Sequence, residues 1–191
     1  MRPRLLAFAG CTRRDSFNKK LVPIAARGAR AAGAEVTLID LEDFPLPLFD
    51  QDLEAEQGVP ENGKKLRQLF IDHDGLLIAS PEYNSSVTAV LKNAIDWVSR
   101  PAPGEPSLAA FRTKVATLMS ASPGALGGLR GLAHVRSILG NVGVIVLPEQ
   151  IAVAKAHEAF NADGSLKDLK QQAGIAGLGK TLASFLVKVK A

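Results

Sequence analysis

The sequence predicts an α/β protein in which helices cover both faces of a parallel sheet of five strands. Short apolar runs alternate with longer amphipathic segments along the whole chain, which is the pattern of βα units. The apolar runs contain few polar residues, as expected of strands that are buried on both faces. The length of 191 residues and the lack of an evident linker favour one domain over residues 1–191.

Each element is placed by its own pattern. Near-continuous apolar runs predict five strands, at Leu5–Ala9, Val36–Ile39, Leu76–Ala79, Val115–Met119 and Val142–Leu147. Apolar residues at three- and four-residue spacing predict the helices, which run from Phe17 to Ala32, around Leu66 to Phe70, from Val90 to Val98, from Gly128 to about Leu139, and from Leu166 to Val189.

Two stretches are predicted to be irregular. The first, Leu41 to Gly63, contains three prolines and the apolar run Phe44–Phe49, which is too apolar for a free loop. We therefore expect this run to pack on a neighbouring element. The second, Pro101 to Pro106, is expected to form a stiff turn before the fourth strand.

The composition limits the class of protein. The formal net charge of +4 is compatible with an anionic ligand. A single cysteine, Cys11, excludes an internal disulfide and is typical of a reducing cytoplasm. No apolar run approaches the ~20 residues of a membrane span, and one tryptophan and one tyrosine argue against a nucleic-acid binder that stacks bases on aromatic side chains. We expect a cytoplasmic protein whose partners are small molecules, without nucleic acid or membrane.

The segment after the first strand, Gly10 to Asn18, has the composition of a phosphate-binding loop. In open α/β sheets, ligands bind beyond the carboxyl ends of the strands, where loops lead into helices. Main-chain N–H groups at a helix N-terminus attract anions, Ser16 or Asn18 can cap the helix, and Arg13 can neutralise phosphate. A capped helix with a solvated basic face is an equally compatible interpretation, because the segment lacks a GxGxxG fingerprint.

The segments after the third and fourth strands complete a mononucleotide pocket. Ser80 to Ser86 contains the only tyrosine, Tyr83, among amide and hydroxyl groups that suit a planar heterocycle. The alternative is a simple turn followed by a helix, and for Trp97 on that helix a position in the core is the better interpretation. Ser120 to Gly128 is again small and polar before a helix.

These segments resemble a known family. Gly10 to Asn18, Pro81 to Asn84 with the following Leu91 to Arg100, and Ser120 to Gly128 are similar to the NADPH-dependent FMN reductases, which include quinone, azo-dye and chromate reductases. The apolar Phe44–Phe49 run is a further point of likeness. The resemblance implies a flavodoxin-like sheet of strand order 2-1-3-4-5, tightly bound FMN, NADPH or NADH as co-substrate, and a homodimer or homotetramer.

The resemblance also assigns residues to the cofactor. The phosphate would be held by Thr12, Arg13, Ser16 and Asn18, and the isoalloxazine ring would be lined by Glu82, Tyr83, Asn84 and Ser85, with Ser122 touching the flavin from the third loop. The predicted set is completed by Cys11, Phe17 and Pro81. No catalytic side chain and no metal are expected, because N5 of FMN carries the hydride chemistry.

The expected function is that of an NAD(P)H-dependent FMN reductase or quinone reductase. Hydride would pass from NAD(P)H through bound FMN to a quinone or a related acceptor, such as an azo compound, chromate or free flavin, in a ping-pong cycle. A flavodoxin-like electron carrier and a non-catalytic FMN-binding module are the alternatives. Such carriers are usually strongly acidic, whereas this chain is +4.

Two departures from the family pattern matter. Cys11 stands where the family usually has serine, either as a plain substitution, which we favour, or as a redox thiol. Thr88 and Ala89 replace a Pro-Gly pair that is common after the tyrosine loop, which alters the entry to the next helix.

Two further motifs do not support a function. Gly174 to Thr181 satisfies GxxxxGK[ST], but a working P-loop must follow a strand, and here a helix-like run precedes it. Asp72, His73 and Asp74 are consecutive, so their side chains point apart and do not form a metal site.

Overall fold

The computed structural model describes residues 2–190, which form five strands and seven α-helices within that range. The strands are β1 (Arg4–Ala9), β2 (Glu35–Leu38), β3 (Gly75–Ala79), β4 (Val115–Ala121) and β5 (Ile145–Val153). The helices are α1 (Phe17–Ala31), α2 (Gln51–Gln57), α3 (Glu61–Asp72), α4 (Ala89–Val98), α5 (Leu129–Asn141), α6 (Ala156–Ala159) and α7 (Leu169–Lys190).

The strands form one parallel sheet in the order β2-β1-β3-β4-β5, which confirms the predicted fold class and strand order. The three central strands are apolar and buried almost throughout, since helices cover both faces. One core layer lies between the sheet and the pair α1 and α7. The other lies on the opposite face, against α3, α4 and α5.

Helices α1 and α7 pack with their backbones in contact. A Cβ atom built on Gly28 of α1 would lie 1.9 Å from the main-chain oxygen of Ala176, and one built on Gly179 of α7 would lie 1.9 Å from that of Ala25. Only glycine permits such an approach. Because Gly179 belongs to the GxxxxGK[ST] match and lies inside α7, the match reflects helix packing and not a phosphate-binding loop.

The fifth strand lies later in the chain than predicted. Helix α5 continues to Asn141, and Gly143, with a φ of +91°, turns the chain before β5 begins at Ile145. The prediction ended the strand before Pro148, but β5 runs through this proline because it is an edge strand with a bulge.

The stretch from Leu41 to Gly63 is more regular than predicted. It contains a 3₁₀ turn at Leu41–Asp43, all of α2 and the start of α3. Helix α2 begins where it does because the Asp50 carboxylate accepts hydrogen bonds from the main-chain N–H groups of Asp52 and Leu53.

The Phe44–Phe49 run packs on α4 of the same chain, so the expectation of a packed segment is confirmed. Asn93 and Trp97 both donate to the main-chain oxygen of Pro47, each at 2.8 Å. The rings of Phe49 and Trp97 meet edge to face at 5.0 Å. Trp97 is fully buried, which confirms its predicted place in the core.

The last helix begins at Leu169, after the predicted start. Leu166 instead pairs with Phe160 in an isolated bridge, and the Asp168 carboxylate accepts hydrogen bonds from Lys170 and Gln171 at the start of α7. Among the described helices, none is long and apolar enough to cross a lipid bilayer.

The glycine contact between α1 and α7 predicts opposite effects for two Gly→Ala changes. Alanine favours a helix over glycine by about 1 kcal/mol, yet Gly28→Ala should lower the free energy of unfolding by about 1–3 kcal/mol, because its methyl group meets rigid backbone. Gly177→Ala, in open space on α7, should raise it slightly. Urea denaturation measures both, and a Gly28→Ala protein as stable as the wild type contradicts the packing.

Candidate functional site

The predicted site residues meet at the carboxyl edge of the sheet, where β1, β3 and β4 end side by side. Main-chain hydrogen bonds keep these ends in register, with Gly10 N–H donating to the oxygen of Ala79 at 2.8 Å and Ser80 N–H to that of Met119 at 2.9 Å. The strand order reverses direction between β1 and β3, which is where α/β sheets of this order bind ligands.

The segment between β1 and α1 presents unpaired donors. Ser16 is the N-cap of the 15-residue α1, and its hydroxyl oxygen accepts from Asn18 N–H at 3.2 Å. Within residues 2–190, the main-chain N–H groups of Thr12, Arg13, Arg14 and Asp15 donate to no protein acceptor. These donors lie in front of a helix N-terminus, an arrangement that suits a phosphate group.

Like its neighbour Arg14, Arg13 is an exposed cation of this segment. Its guanidinium lies 5.7 Å from the ring centroid of Phe17, and it forms no ion pair with any described carboxylate. The Phe17 ring stacks in turn on Phe160, with centroids 6.0 Å apart. The aromatic pair supports the arginine side chain while leaving its charge available to an anion.

The Asn18 side chain, which was predicted to contact the phosphate, is hydrogen-bonded to the end of β4. Its amide nitrogen donates to the main-chain oxygen of Ala121 at 2.9 Å, and its amide oxygen accepts from Ala121 N–H at 3.0 Å. Both ends of the buried amide are therefore engaged by β4. Asn18 ties the start of α1 to the end of β4 and so joins two of the three loops.

Cys11 supports the same helix cap. Its Sγ donates to the Ser16 hydroxyl oxygen at 2.9 Å, so the thiol replaces a hydroxyl donor in the serine position. Burial raises the pKa of the Cys11 thiol above its ordinary value, outweighing the hydrogen bond with Ser16 and the charge of Lys19.

The loop after β3 contains a tight hairpin turn. Tyr83 and Ser86 exchange two main-chain hydrogen bonds, each of 3.0 Å. The two residues between them, Asn84 and Ser85, have φ values of +50° and +67°, as in a type I′ turn. Tyr83 is 53% exposed, so one face of its ring is available beside the β1 loop.

The carboxylate of Glu82, which was predicted to line the ring, is hydrogen-bonded to α5. Oε1 accepts from Arg130 Nε at 2.9 Å, and Oε2 accepts from Gly131 N–H at 3.0 Å. Burial alone would raise the pKa of Glu82, but the Gly131 N–H and the Arg130 guanidinium outweigh it and hold the pKa below its ordinary value.

Thr88, noted above as a departure from the family pattern, connects two of the loops. Its hydroxyl donates to the main-chain oxygen of Gly10 at 2.5 Å and accepts from Leu91 N–H at 3.1 Å, so it caps α4 and fixes the first loop at once. A Cβ on Gly10 would lie 2.9 Å from the Leu91 side chain, which explains the glycine.

Two adjoining cavities lie among these loops and contain ten of the twelve predicted residues. A cavity of about 100 Å³ is lined by Arg13, Ser16, Phe17, Asn18, Pro81, Glu82, Tyr83, Ala121, Ser122 and Pro123. A second, of about 280 Å³, is lined by Cys11, Thr12, Arg13, Glu42, Tyr83, Thr88, Ala89 and Val90. Asn84 and Ser85 line neither, whereas Arg13 and Tyr83 line both.

A larger cavity, of about 650 Å³, lies elsewhere, between α2, α3 and the segment after α4. Its two arginines are already paired, Arg67 with Glu105 and Arg100 with Glu54. It lies away from the carboxyl ends of the strands. The smaller cavities are therefore the candidate functional site.

Sequence reasoning did not identify several supporting residues. Lys19 donates to the main-chain oxygen of Thr12 at 3.1 Å and pairs with Asp40 at 2.5 Å, which anchors the phosphate loop to the segment after β2. Arg130 and the main-chain N–H of Gly131 donate hydrogen bonds to the Glu82 carboxylate. No local signal marks such partners, because they lie far apart in the chain, whereas Thr88 carries an ordinary N-cap signal before an apolar helix.

Comparison with known proteins finds similarity over most of this chain. The family model described as NADPH-dependent FMN reductase matches residues 3–158. An NAD(P)H-dependent FMN reductase of Pseudomonas aeruginosa is 36% identical over 168 residues, covering 87% of this chain and 86% of the relative. A quinone reductase of Escherichia coli K12 is 35% identical over 136 residues, covering 71% of this chain and 69% of the relative.

A solved structure extends the likeness beyond the matched residues. The flavoenzyme NAD(P)H:(acceptor) oxidoreductase of Paracoccus denitrificans superposes with a TM-score of 0.80 at 29% identity, covering 97% of this chain and 98% of the other. All three site loops lie inside the part that the family model matches. The chain therefore belongs to the NADPH-dependent FMN reductase family.

Proposed function

We propose that this protein holds FMN at the carboxyl edge of its sheet and transfers reducing equivalents from NAD(P)H to a quinone or a related acceptor in a ping-pong cycle. Membership of the family makes it an oxidoreductase. The observation that carries the proposal is the meeting of an anion-binding loop and an exposed tyrosine across two adjoining cavities where β1 and β3 diverge.

The β1 loop fits the phosphate of FMN. The unpaired N–H groups of Thr12 to Asp15, the hydroxyl proton of Ser16 and the guanidinium of Arg13 are donors that a phosphate dianion would satisfy together. The predicted roles of Thr12, Arg13 and Ser16 thus stay in the proposal. Asn18 takes part by fixing the loop.

The β3 hairpin fits the ring. FMN, when bound, supplies the hydride chemistry at its N5 edge. Tyr83 offers an aromatic face for stacking, and the N–H groups of Glu82, Asn84 and Ser85 donate to no acceptor within the described residues. Ser122 and Pro81 close the opposite wall. No nucleophile or general base is needed among these residues.

Arg13 and Tyr83 separate the two cavities. Either space alone is below or near the lower limit of the ~300–1,000 Å³ typical of small-molecule sites, with volumes of about 100 and 280 Å³. Moving these two exposed side chains apart joins the spaces into one cleft. We propose that cofactor binding does so, with Arg13 turning to the phosphate and Tyr83 to the ring.

The acceptor class follows from the exposure of the site and from the family. Quinones, azo compounds, chromate and free flavin are small acceptors that can reach an open cleft, and the names of the relatives favour quinones. An electron carrier is the alternative, and it would dock an oxidoreductase partner through acidic surface. The formal charge of +4 and Arg13 at the mouth favour the reductase.

A homodimer or homotetramer is a further part of the proposal. Leu48 is 76% exposed at the tip of the Phe44–Phe49 run. The rest of that run packs on α4, so it leaves less apolar surface uncovered than the sequence suggests. Light scattering at micromolar concentration should give a mass above that of one chain.

The reductase should be yellow and should be bleached by NAD(P)H without a partner protein. Anaerobic stopped-flow mixing with NADPH or NADH, followed by addition of a quinone, should show two separable steps, and steady-state rates should give parallel double-reciprocal lines. A flavin that stays oxidised under NAD(P)H favours the carrier, and one that is reduced but not reoxidised by any acceptor favours the binding module.

Arg13→Ala should weaken FMN retention by about 10–100-fold, since a hydrogen bond to a charged group contributes about 1.5–3 kcal/mol. Arg27→Ala is the matched control, because Arg27 is an exposed arginine on α1, outside the loop that contains Arg13. Titration of the apoprotein with FMN, followed by flavin fluorescence, measures both dissociation constants. Equal losses in the two variants argue against a phosphate contact by Arg13.

Cys11 should behave as a structural thiol. Because it is buried and its pKa is raised, alkylation by iodoacetamide at neutral pH should be far slower in the native protein than in urea. Cys11→Ser should retain FMN and turnover, since a hydroxyl can donate to Ser16 in the same way. Rapid native alkylation with loss of turnover would instead identify a redox thiol.

A further inference from the structure

We propose that Glu82 is a positioning residue, whose carboxylate fastens the Tyr83 hairpin to the first turn of α5 and so sets where the flavin ring rests. The inference rests on the proposed function for the identity of the ring. It assigns the Glu82 side chain to the protein scaffold, and it leaves contact with the ring to Tyr83 and to the main chain of the hairpin.

The contacts of the carboxylate account for both oxygen atoms. Oε1 accepts hydrogen bonds from Nε and Nη2 of Arg130, at 2.9 and 2.5 Å. Oε2 accepts one from the main-chain N–H of Gly131 at 3.0 Å. The Glu82 side chain is only 7% exposed. Burying a carboxylate without partners is costly, so the site is built around this group.

Helix α5 lacks a cap of its own and takes one from the hairpin. Its N-cap residue, Gly128, has no side chain to accept the first N–H groups. Glu82 supplies the missing acceptor from 49 residues earlier in the chain and places negative charge at the positive end of a 13-residue helix.

Gly131 lets the hairpin lie directly on the helix. A Cβ on Gly131 would lie 3.1 Å from the main-chain oxygen of Ser86 and 3.3 Å from the Glu82 Cβ. The hairpin therefore packs against the helix backbone, so that a small movement of α5 also moves Tyr83.

The hairpin needs an external hold. Asn84 and Ser85 adopt positive φ values without glycine, a conformation that persists only where the surroundings enforce it. A second contact reaches the same helix, since the Ser86 hydroxyl lies 2.8 Å from His134 Nδ1. Glu82 and Ser86 thus hold the two ends of the turn on α5, with Tyr83 between them.

The test compares Glu82→Gln and Glu82→Ala with Glu54→Gln. Glu54 is a matched control because its carboxylate also pairs with one arginine, Arg100, at 2.7 Å, and its side chain is 19% exposed, but it lies outside the site. Hydrogen exchange of the apoprotein should be faster at the Tyr83 and Ser86 amides, which are hydrogen-bonded to each other across the turn, in both Glu82 variants. The effect should be greater for alanine, and the control should show no change.

The cofactor adds a second readout. FMN affinity should fall about tenfold in Glu82→Gln, and the visible flavin spectrum should shift, while the control matches the wild type. Turnover should fall in kcat with little change in the KM for NAD(P)H, as expected if the ring is misplaced and the co-substrate site is intact. If all three variants match the wild type in hairpin exchange and flavin spectrum, the positioning role is wrong.

The proposed function and the positioning role of Glu82 can be disproved independently of each other. A wild-type protein that ignores FMN overturns the proposed function, while exchange in the apoprotein still decides whether Glu82 holds the hairpin. A Glu82→Gln protein with an unchanged hairpin but weakened FMN overturns the positioning role in favour of direct contact with the cofactor.

The pH dependence of stability gives a third readout. The charges that face the Glu82 carboxylate are the Arg130 guanidinium and the positive end of the α5 dipole. Because the folded pKa of Glu82 lies below the ordinary 4.5, its stabilisation is complete above that value and is lost as the pH falls through the folded pKa. The gap in apoprotein Tm between wild type and Glu82→Gln should therefore narrow in acid, and a constant gap contradicts an ionic hold.

Discussion

The geometry of the site depends on one buried amide. The Asn18 side chain forms two hydrogen bonds with the main chain of Ala121 and so joins the start of α1 to the end of β4, across the intervening strand β3. Parallel strands bring their loops to one edge, but they do not fix the loops relative to one another. The Asn18 amide does this in the interior, where competition from water is weak and a hydrogen bond is strongest.

Capping is the second organising principle. Three helices start at this edge, and each is capped by a side chain that also makes a second stabilising contact. Ser16 caps α1 and receives the Cys11 thiol, Thr88 caps α4 and holds Gly10, and Glu82 caps α5 and holds its own hairpin. Hydrogen bonds therefore connect each helix N-terminus to an adjoining loop. These loops carry the exposed side chains of Arg13 and Tyr83.

The limits of sequence reasoning follow from which contacts are local. The five strands, a helix cap at Ser16 or Asn18 and a basic loop after β1 could be predicted from signals that lie within a few residues, whereas the strand order followed from the family resemblance. The roles of the Asn18 amide and the Glu82 carboxylate could not, since their partners lie 103 and 49 residues away and carry no pattern of their own. The end of β5 was missed because a strand through Pro148 requires an edge position, which only the assembled sheet reveals.

The backbone contact between α1 and α7 has a consequence for where the functional unit ends. The region that matches the family stops before α7, yet α7 covers the buried face of α1, the helix whose N-terminus faces the phosphate loop. A fragment that ends at residue 158, where the family match ends, would expose Ala25 and Ala29 to water. It would also lack the helix against which α1 packs. The proposed cofactor site, which is built largely from the first part of the chain, thus depends on a helix from the last part.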